Sequence, residues 1–521
     1  MAIRRIAVLG GGPGGLYAAR LLKLADPRRE IDVYEQGEPG KTFGFGVGLA
    51  SRTQRNLADA DPDTIAEIVA AAHGHGVEMR VGSRTARINP ANLLAIARTS
   101  LLDVLRRHAE AAGVRVHFGG RKTAADLDAD LLIAADGVSS ATREAAAADF
   151  GATIEVGAGL YLWCGTDFAL PTAMFAPLTT EHGTFVTHAY PYAPDRSTFL
   201  IETDEKTWRN AGFDDSTEQT PWDASDEVSI GYLQEAFAEY LRGHHLIGNR
   251  TRWLRFRTVR CRSWHHGRTV LLGDAAHTAH YSIGSGTKLA MEDSIALTQA
   301  LNLDGDLPDL LGHYERQRRP GVAHLQSIAH RSQLWWESFP TRTDLPVEQL
   351  TVAYMTRAGK VPVDRFRQAS PQVATAALVQ YAQVPAADVP AGDVDDWVLS
   401  RPLAHGGRRF GSRVLAADDP LLPRLVRLEY NLADAWGAEA DALAQRAARD
   451  RHDGAAGFLL TGADARDSVL NRLEFAERLR LLTGALVVVE AATEYRADVV
   501  AGLVSGRVDL AAVPSTAAPN M

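Results

Sequence analysis

The chain has 521 residues, with 55 Lys+Arg against 64 Asp+Glu, a formal net charge of −9, 46% hydrophobic residues and 23% charged ones. That is the make-up of an ordinary globular protein of two to four domains, at roughly 100–200 residues each. The acidic balance speaks against a nucleic-acid binder, no apolar run approaches the ~18–20 residues that span a bilayer, and two cysteines, Cys164 and Cys261, are too few for a disulfide framework or a Cys-based zinc site.

The apolar start, Ile6 to Leu9, runs at once into glycines and does not read as a signal peptide, so a cytoplasmic enzyme is expected. Ile3 to Leu9 reads as a buried parallel strand, Gly10 to Gly15 as a turn, Leu16 to Leu24 as a helix and Ile31 to Glu35 as a second strand: a βαβ unit. Residues 91–112 read as one long helix, Val114 to Phe118 as a strand and Asp130 to Ala135 as another buried strand. From about 155 to 255 alternating segments appear, and Thr184–Tyr190 and Ser197–Glu202 across the turn 193–196 predict an antiparallel hairpin. Buried-strand texture returns at Thr269 to Leu272, so the first domain is expected to be discontinuous. A helix-rich stretch covers 287–385, and the Pro- and Asp-containing stretch 384–393 reads as a linker.

The expected architecture is α/β: a Rossmann-like dinucleotide domain (1–155 and 256–340), an inserted antiparallel-sheet substrate domain (156–255), a helical connection (341–395) and a C-terminal α/β unit (396–521). In that last unit Gly457 to Val513 reads βαβαβ.

Gly10-x-Gly12-x-x-Gly15 follows a strand and opens a helix, with Glu35 twenty residues beyond its last glycine. Gly10 permits the tight turn, Gly12 lets a pyrophosphate approach the backbone, and Gly15 lets helix and strand pack closely, with Pro13 and Gly14 between them. The helix N-terminus supplies N–H donors for phosphate. Glu35 suits a ribose diol, so FAD or NAD is favoured. Ala134-Ala135-Asp136-Gly137 and Leu272-Gly273-Asp274 each put an aspartate at the carboxyl end of a buried strand, where ligands of such sheets bind. Asp274 suits a ribityl hydroxyl, which flavins have and NAD lacks. Gly284, Gly286, Thr287 and Lys288 open a helix whose positive end suits the anionic side of a reduced flavin. His277 and His280 have no third ligand at metal spacing, the pairs His244-His245 and His265-His266 read as surface or turn residues, and no GxSxG elbow supports a serine hydrolase.

The GxGxxG with Glu35, Arg98, Asp136-Gly137-x-x-Ser140-x-x-Arg143 and Gly273-Asp274 together resemble the motif set of the flavin aromatic hydroxylases, the single-component monooxygenases similar to para-hydroxybenzoate hydroxylase, over residues 1–340. The resemblance implies that Gly10, Gly12, Gly15, Glu35 and Arg98 bind the ADP part of FAD, that Asp274 binds the ribityl chain, and that Asp136 is tied to FAD and nicotinamide use. It implies NADH or NADPH as reductant, a flavin hydroperoxide formed with O2, and hydroxylation of an electron-rich ring. Two positions depart from the common pattern: Tyr281 stands where the family usually has proline, and Lys288 where it usually has asparagine. Those stretches, with Phe43 to Gly48 and Leu334 to Glu337, resemble a narrower branch that holds salicylyl-CoA 5-hydroxylase and 2-aminobenzoyl-CoA monooxygenase/reductase. The implied substrate is a hydroxy- or aminobenzoyl-CoA thioester. The alternatives are a free phenolic, indole or polyketide aromatic, a reductase or halogenase-like enzyme, and a flavin-binding sensor without turnover.

Period-2 spacing puts His188, Tyr190 and Tyr192 on one face of the substrate-domain sheet. With His280 and Tyr281 they are candidate ring contacts or phenol-polarising groups, against a bland reading as sheet anchors and a turn cap. The C-terminal unit resembles a truncated Old Yellow Enzyme-type barrel, with Pro402 to Leu415 as its opening strand, and a thioredoxin-like domain as the alternative. It is too short for eight βα units, and Pro514-Ser515 stand where a phosphate grip is usual, so no FMN is expected there. No metal, nucleic acid or membrane is expected as a partner, and a homodimer is possible for such an enzyme.

Overall fold

The computed structural model describes residues 3–88, 93–452 and 454–513, so Pro514 and Ser515 lie outside the described residues. Two compact units emerge, one formed by residues 1–78 and 90–333, the other by 79–89 and 334–521. No helix among the described residues is long and apolar enough to cross a membrane.

The first unit opens with β1 (Arg5–Leu9), α1 (Pro13–Ala25) and β2 (Glu30–Glu35). Pro13 occupies the first turn of α1, where its fixed φ suits the helix and its missing N–H costs nothing. Residues 91–112 are not one helix: β3 (Leu94–Ala97) pairs with Gly46–Leu49, and α2 (Arg98–Ala111) starts only after it. The apolar run Leu93 to Ala97 suits either period locally, and the strand at 46–49 decides the matter. Next come β4 (Arg115–Phe118) and β5 (Leu131–Ala134). Then follow β6 (Ala152–Thr166), β7 (Ala173–Thr180), β8 (Gly183–Ala193), β9 (Arg196–Thr203), β10 (Leu254–Cys261) and β11 (Thr269–Leu271). The unit's later helices are α3 (Gly286–Ala300) and α4 (Leu307–Glu337), the latter running on past residue 333.

Strands β11, β5, β1, β2 and β4 form a parallel sheet in that order, with the short strand His265–His266 antiparallel at its edge. The chain leaves this sheet after β5 and returns to it at His265–His266 and β11, so the domain is interrupted by the intervening strands. β6, β9, β8 and β7 form an antiparallel sheet, and β10 pairs with β6. The strands that the insertion contributes to it begin at Ala152 and end at Cys261, slightly beyond the limits 156–255 expected from texture.

Register sorts the two faces of this antiparallel sheet. His188 lies opposite Phe175 and Leu200, Tyr190 opposite Thr198, Tyr161 opposite Glu202 and Trp163 opposite Leu200. Directly paired residues share a face and neighbours along a strand alternate. One face therefore carries Tyr161, Trp163, Phe175, His188, Tyr190 and Glu202. The other carries Leu162, Cys164, Phe185, Ala189, Phe199 and Ile201, which build the buried core with Phe213, Leu233, Phe237 and Trp253.

The second unit holds helices Val347–Thr356, Val363–Ala369 and Pro371–Ala382, and then a hairpin of β12 (Leu403–His405) and β13 (Arg408–Phe410). The stretch 384–393 lies inside this unit, held by Arg367, which donates to the carbonyls of Pro390 and Ala391. The remaining elements are β14 (Val414–Leu415), β15 (Val426–Glu429), α5 (Ala438–His452), β16 (Gly457–Thr461), α6 (Arg466–Thr483), β17 (Leu486–Glu490), α7 (Arg496–Val504) and β18 (Leu510–Ala512). β14, β18, β17, β16 and β15 form a wholly parallel sheet in that order, so the first strand pairs with the last. Leu415, Leu459, Leu486, Val488, Leu510 and Ala512 cluster on one face, where Leu421 and Leu425 pack with Leu403 and Phe410 of the hairpin.

Candidate active site

The glycines after β1 divide by what surrounds them. A Cβ on Gly10 would lie 2.3 Å from the Ala135 carbonyl oxygen, and Gly10 also has a φ of +103°. A Cβ on Gly15 would lie 2.1 Å from the Gly10 oxygen, and one on Gly14 would lie 2.5 Å from the Leu272 side chain. These three serve the turn and close packing. Gly12 has nothing within 4 Å of an added Cβ, so open space lies before the first N–H groups of α1. That cradle, at a positive helix end, fits a pyrophosphate. Glu35 is held ready beside it: Gly11 N–H donates to Oε2 at 2.8 Å and Gly37 N–H to Oε1 at 2.7 Å. Each oxygen retains capacity for a ribose hydroxyl.

The loops after β5 and β11 are tied to each other. Arg143, buried, donates to the carbonyl oxygens of Ala275 at 3.0 Å and Val138 at 2.6 Å. Asp136 Oδ2 accepts from Thr142 N–H at 3.2 Å and Oγ1 at 3.0 Å, while its buried Oδ1 has no hydrogen-bond partner. Such an acceptor is costly to bury and fits a ligand hydroxyl. Asp274 is open to the cleft yet closely surrounded by protein, and this desolvation raises its carboxyl pKa against the pull of His277 and Arg98. Arg98 Nε donates to Thr42 Oγ1 at 3.2 Å and its backbone N–H to Phe45 O at 2.7 Å. Burial lowers the Arg98 pKa, with Asp274 pulling it back up. Arg98 and Asp274 therefore lie within electrostatic reach of each other.

Behind the Gly273-Asp274 turn lies a support that the sequence did not reveal. Asp293 on α3, 0% exposed, meets His277 Nε2 at 2.8 Å and Arg318 Nε at 2.8 Å, and accepts from Gly273 N–H at 3.2 Å. Burial raises its carboxyl, but His277 and Arg318 outweigh this and keep it below the usual range. At the start of α3, Gly284 has a φ of +60° and the buried Ser285 hydroxyl has no hydrogen-bond partner. Lys288 directs its ammonium to Glu292, 3.7 Å away, so the start of α3 presents the backbone N–H groups of Gly286, Thr287 and Lys288 rather than a side-chain charge. Orphaned polar atoms at Asp136 and Ser285, the open cradle at Gly12 and the poised Glu35 fit a flavin dinucleotide.

Soon after Asp274 in the chain, Tyr281 sits in a cluster of aromatic rings. Tyr281 stands 4.1 Å from His280 between ring centroids, 5.0 Å from Tyr161, 5.9 Å from Phe256, 6.1 Å from His188 and 6.4 Å from Trp163. The structure thus brings His188, His280 and Tyr281 together. Tyr190 and Tyr192 turn to the start of the strand Gly46–Leu49: Tyr190 donates to Gly46 O at 2.8 Å, and Tyr192 fills the space beside Gly46. Burial pushes the Tyr190 phenol up to about 12. His280 Nδ1 lies 2.8 Å from Ser282 Oγ, which lies 2.7 Å from Ser332 Oγ, and the same nitrogen caps the turn at Ser282. Tyr161, Trp163, Phe175, Phe256 and Glu202 were not singled out from sequence. Strand register would have found all but Phe256.

A parallel sheet with a glycine cradle and two aspartate turns, with an aromatic cluster on an antiparallel sheet, fits a flavin-dependent monooxygenase acting on rings. The chain belongs to the FAD-dependent aromatic monooxygenases. The model of an FAD binding domain matches residues 108–328. Salicyloyl-CoA 5-hydroxylase of Streptomyces sp is 41% identical over 64% of this chain and 66% of its own length. The 3-hydroxy-4-methyl-anthranilyl-[aryl-carrier protein] 5-monooxygenase of Streptosporangium sibiricum is 41% identical over 68% of this chain and 95% of its own. The solved 2-methyl-3-hydroxypyridine-5-carboxylic acid oxygenase shares the fold at a TM-score of 0.54 and 20% identity, covering 70% of this chain and 98% of that one.

Proposed function

We propose that this enzyme hydroxylates a 2-hydroxy- or 2-aminobenzoyl ring carried as a thioester, on CoA or on a carrier protein. One observation carries this reading: the two relatives at 41% identity are named for aryl thioesters, and both for oxygenation at position 5. In a salicyloyl or anthranilyl ring, position 5 is para to the substituent at C2, which is where that donor makes the ring electron-rich. The shared chemistry is therefore a C2 oxygen or nitrogen that pushes electrons to C5. Bound FAD, reduced by NAD(P)H and reacting with O2, supplies the electrophilic oxygen. The chain's own part is to hold FAD through Gly10, Gly12, Glu35, Arg98, Asp136 and Asp274. His188, His280 and Tyr281 line the ring's chamber.

NAD(P)H consumption and product mass, measured against salicyloyl-CoA, 2-aminobenzoyl-CoA and their free acids, test the reading. Thioesters are expected to turn over with oxygen at C5. A free acid that turns over as fast as its thioester would replace this reading with hydroxylation of a free aromatic.

A second reading concerns residues 396–521. The pairing of β14 with β18 is the order of a barrel's first and last strands, which supports a barrel remnant with a structural role. The face that would hold a ligand is filled by Leu403, Phe410, Leu421 and Leu425. Flavin extraction is expected to yield FAD alone, and stoichiometric FMN would overturn this reading.

A further inference from the structure

The three carboxylates assigned to FAD are held in different ways. Glu35 accepts from the N–H groups of Gly11 and Gly37, and Asp136 accepts from Thr142. The Asp274 carboxylate has no hydrogen-bond partner among the described residues. Where it stands is therefore set by the backbone of the turn that carries it, and by whatever holds that turn.

One residue of α3 grips that turn at both ends. Asp293 Oδ2 accepts from Gly273 N–H at 3.2 Å, just before Asp274, and from His277 Nε2 at 2.8 Å, just after it. Between these ties the turn closes on itself, with the N–H groups of Ala276 and His277 donating to Gly273 O at 2.8 and 2.9 Å. Gly273 has a φ of +62°, and a Cβ there would lie 2.8 Å from the Ala290 Cβ, so the turn is pressed against α3. The other oxygen, Oδ1, accepts from Arg318 Nε on α4 at 2.8 Å. Burial raises the Asp293 pKa, and His277 and Arg318 lower it by more, so the group is a carboxylate and only accepts. A buried ion pair adds little net stability, and apolar side chains of similar volume often serve as well or better. What an apolar side chain cannot do is fix Gly273 N–H and the His277 ring at hydrogen-bond distance from one point.

We propose that Asp293 is a positioning residue for FAD: by holding Gly273 and His277 it fixes the Asp274 carboxylate, which binds the cofactor. This rests on Asp274 holding FAD, as proposed above. Arg318 keeps Asp293 ionised and aimed, and His277 carries the far end of the turn. Asp293 itself, 0% exposed and behind the turn, acts only through Asp274.

The experiment is a double-mutant cycle of Asp293→Asn and Asp274→Ala in the full chain. It is read as FAD affinity by fluorescence titration of the apoprotein, with the apoprotein melting temperature measured for each variant. Asparagine keeps the size and one acceptor oxygen and removes the charge. Asp293→Asn is expected to weaken FAD about tenfold where Asp274 is present, and less than about twofold where it is alanine. A merely structural Asp293 would lower the melting temperature and weaken FAD equally in both backgrounds. In a parallel cycle with Glu35→Gln, which lies on another element, the losses should multiply. If the Asp293→Asn apoprotein does not fold, the cycle is run with His277→Gln, which frees the far end of the turn and leaves Asp293 with Gly273 and Arg318. That variant is expected to weaken FAD about threefold, again only where Asp274 is present. Asp274→Ala alone judges the assignment of Asp274, and full FAD affinity there would overturn that assignment and this proposal together. Losses that multiply with Asp274→Ala, equal coupling to Glu35→Gln, or an Asp293→Asn variant that binds FAD within about twofold of the unmodified protein would overturn the positioning role alone.

Discussion

The two parallel sheets of this chain treat their carboxyl ends in opposite ways. In the first unit β1, β5 and β11 run into Gly10, Asp136-Gly137 and Gly273, all three glycines with positive φ. Polar atoms there are left over, at Asp136 and Ser285, and Gly12 faces open space. In the second unit the equivalent ends are closed. The buried Arg472 ties them by donating to Ala463 O, Ser468 Oγ and Glu490 O, each at 3.0 Å. A Cβ on Gly462 would meet the Tyr430 oxygen at 2.6 Å, and leucines fill the inner face. The same topology class yields a site in one place and a packed body in the other. What separates them is space, open before Gly12 in the first unit and filled at the strand ends and inner face of the second.

The sharpest way to break this contrast is at the glycines. Gly10→Ala adds a Cβ 2.3 Å from a backbone oxygen at positive φ, and is expected to cost about 3–5 kcal/mol by denaturant unfolding. Gly12→Ala meets nothing, so its melting temperature without FAD should match that of the unmodified protein while FAD binding weakens. Equal destabilisation of the two would refute the division of roles. In the second unit, Leu459→Ala on the filled face should cost about 2–4 kcal/mol of that unit's stability, read by urea unfolding followed by circular dichroism. A near-neutral result would mean that the inner face is not the packed body described.

Asp274→Ala is expected to weaken FAD about 10–100-fold, roughly 1.4–2.8 kcal/mol, by fluorescence titration of the apoprotein. Retention of full affinity would remove Asp274 from the flavin site. The smallest effect is electrostatic and lies in the second unit. Burial, with Asp393 and Asp364 nearby, pushes Asp395 up to about 6. A carboxyl whose folded pKa is raised contributes stability below its unfolded value, near 4, and loses it as pH rises through about 6. Asp395→Asn should therefore flatten the melting temperature between about pH 4 and pH 6 and raise stability at pH 7 by at most about 2 kcal/mol. An unchanged pH profile would show that the carboxyl titrates as an exposed one.

The candidate cofactor half is legible in the sequence because its residues are local to a few strand ends. Gly10, Gly12, Gly15 and Glu35 lie within one βαβ unit, and Asp136 and Asp274 sit at strand ends that apolar runs mark out, so chain order alone places them together. The apolar segment at 94–97 was not decidable that way, because a run of that length suits helix or strand until Gly46–Leu49 pairs with it. The chamber is a tertiary product: Tyr161, Phe175, His188 and Glu202 come from four strands, and only antiparallel register puts them on one face. The support of Gly273 by Asp293, His277 and Arg318 likewise joins a turn to two helices. Period-2 alternation in the sequence says that His188 and Tyr190 share a face. Which of them meets Tyr281, and which is spent on Gly46, depends on what the fold brings against that face, and spacing along one strand carries no such information.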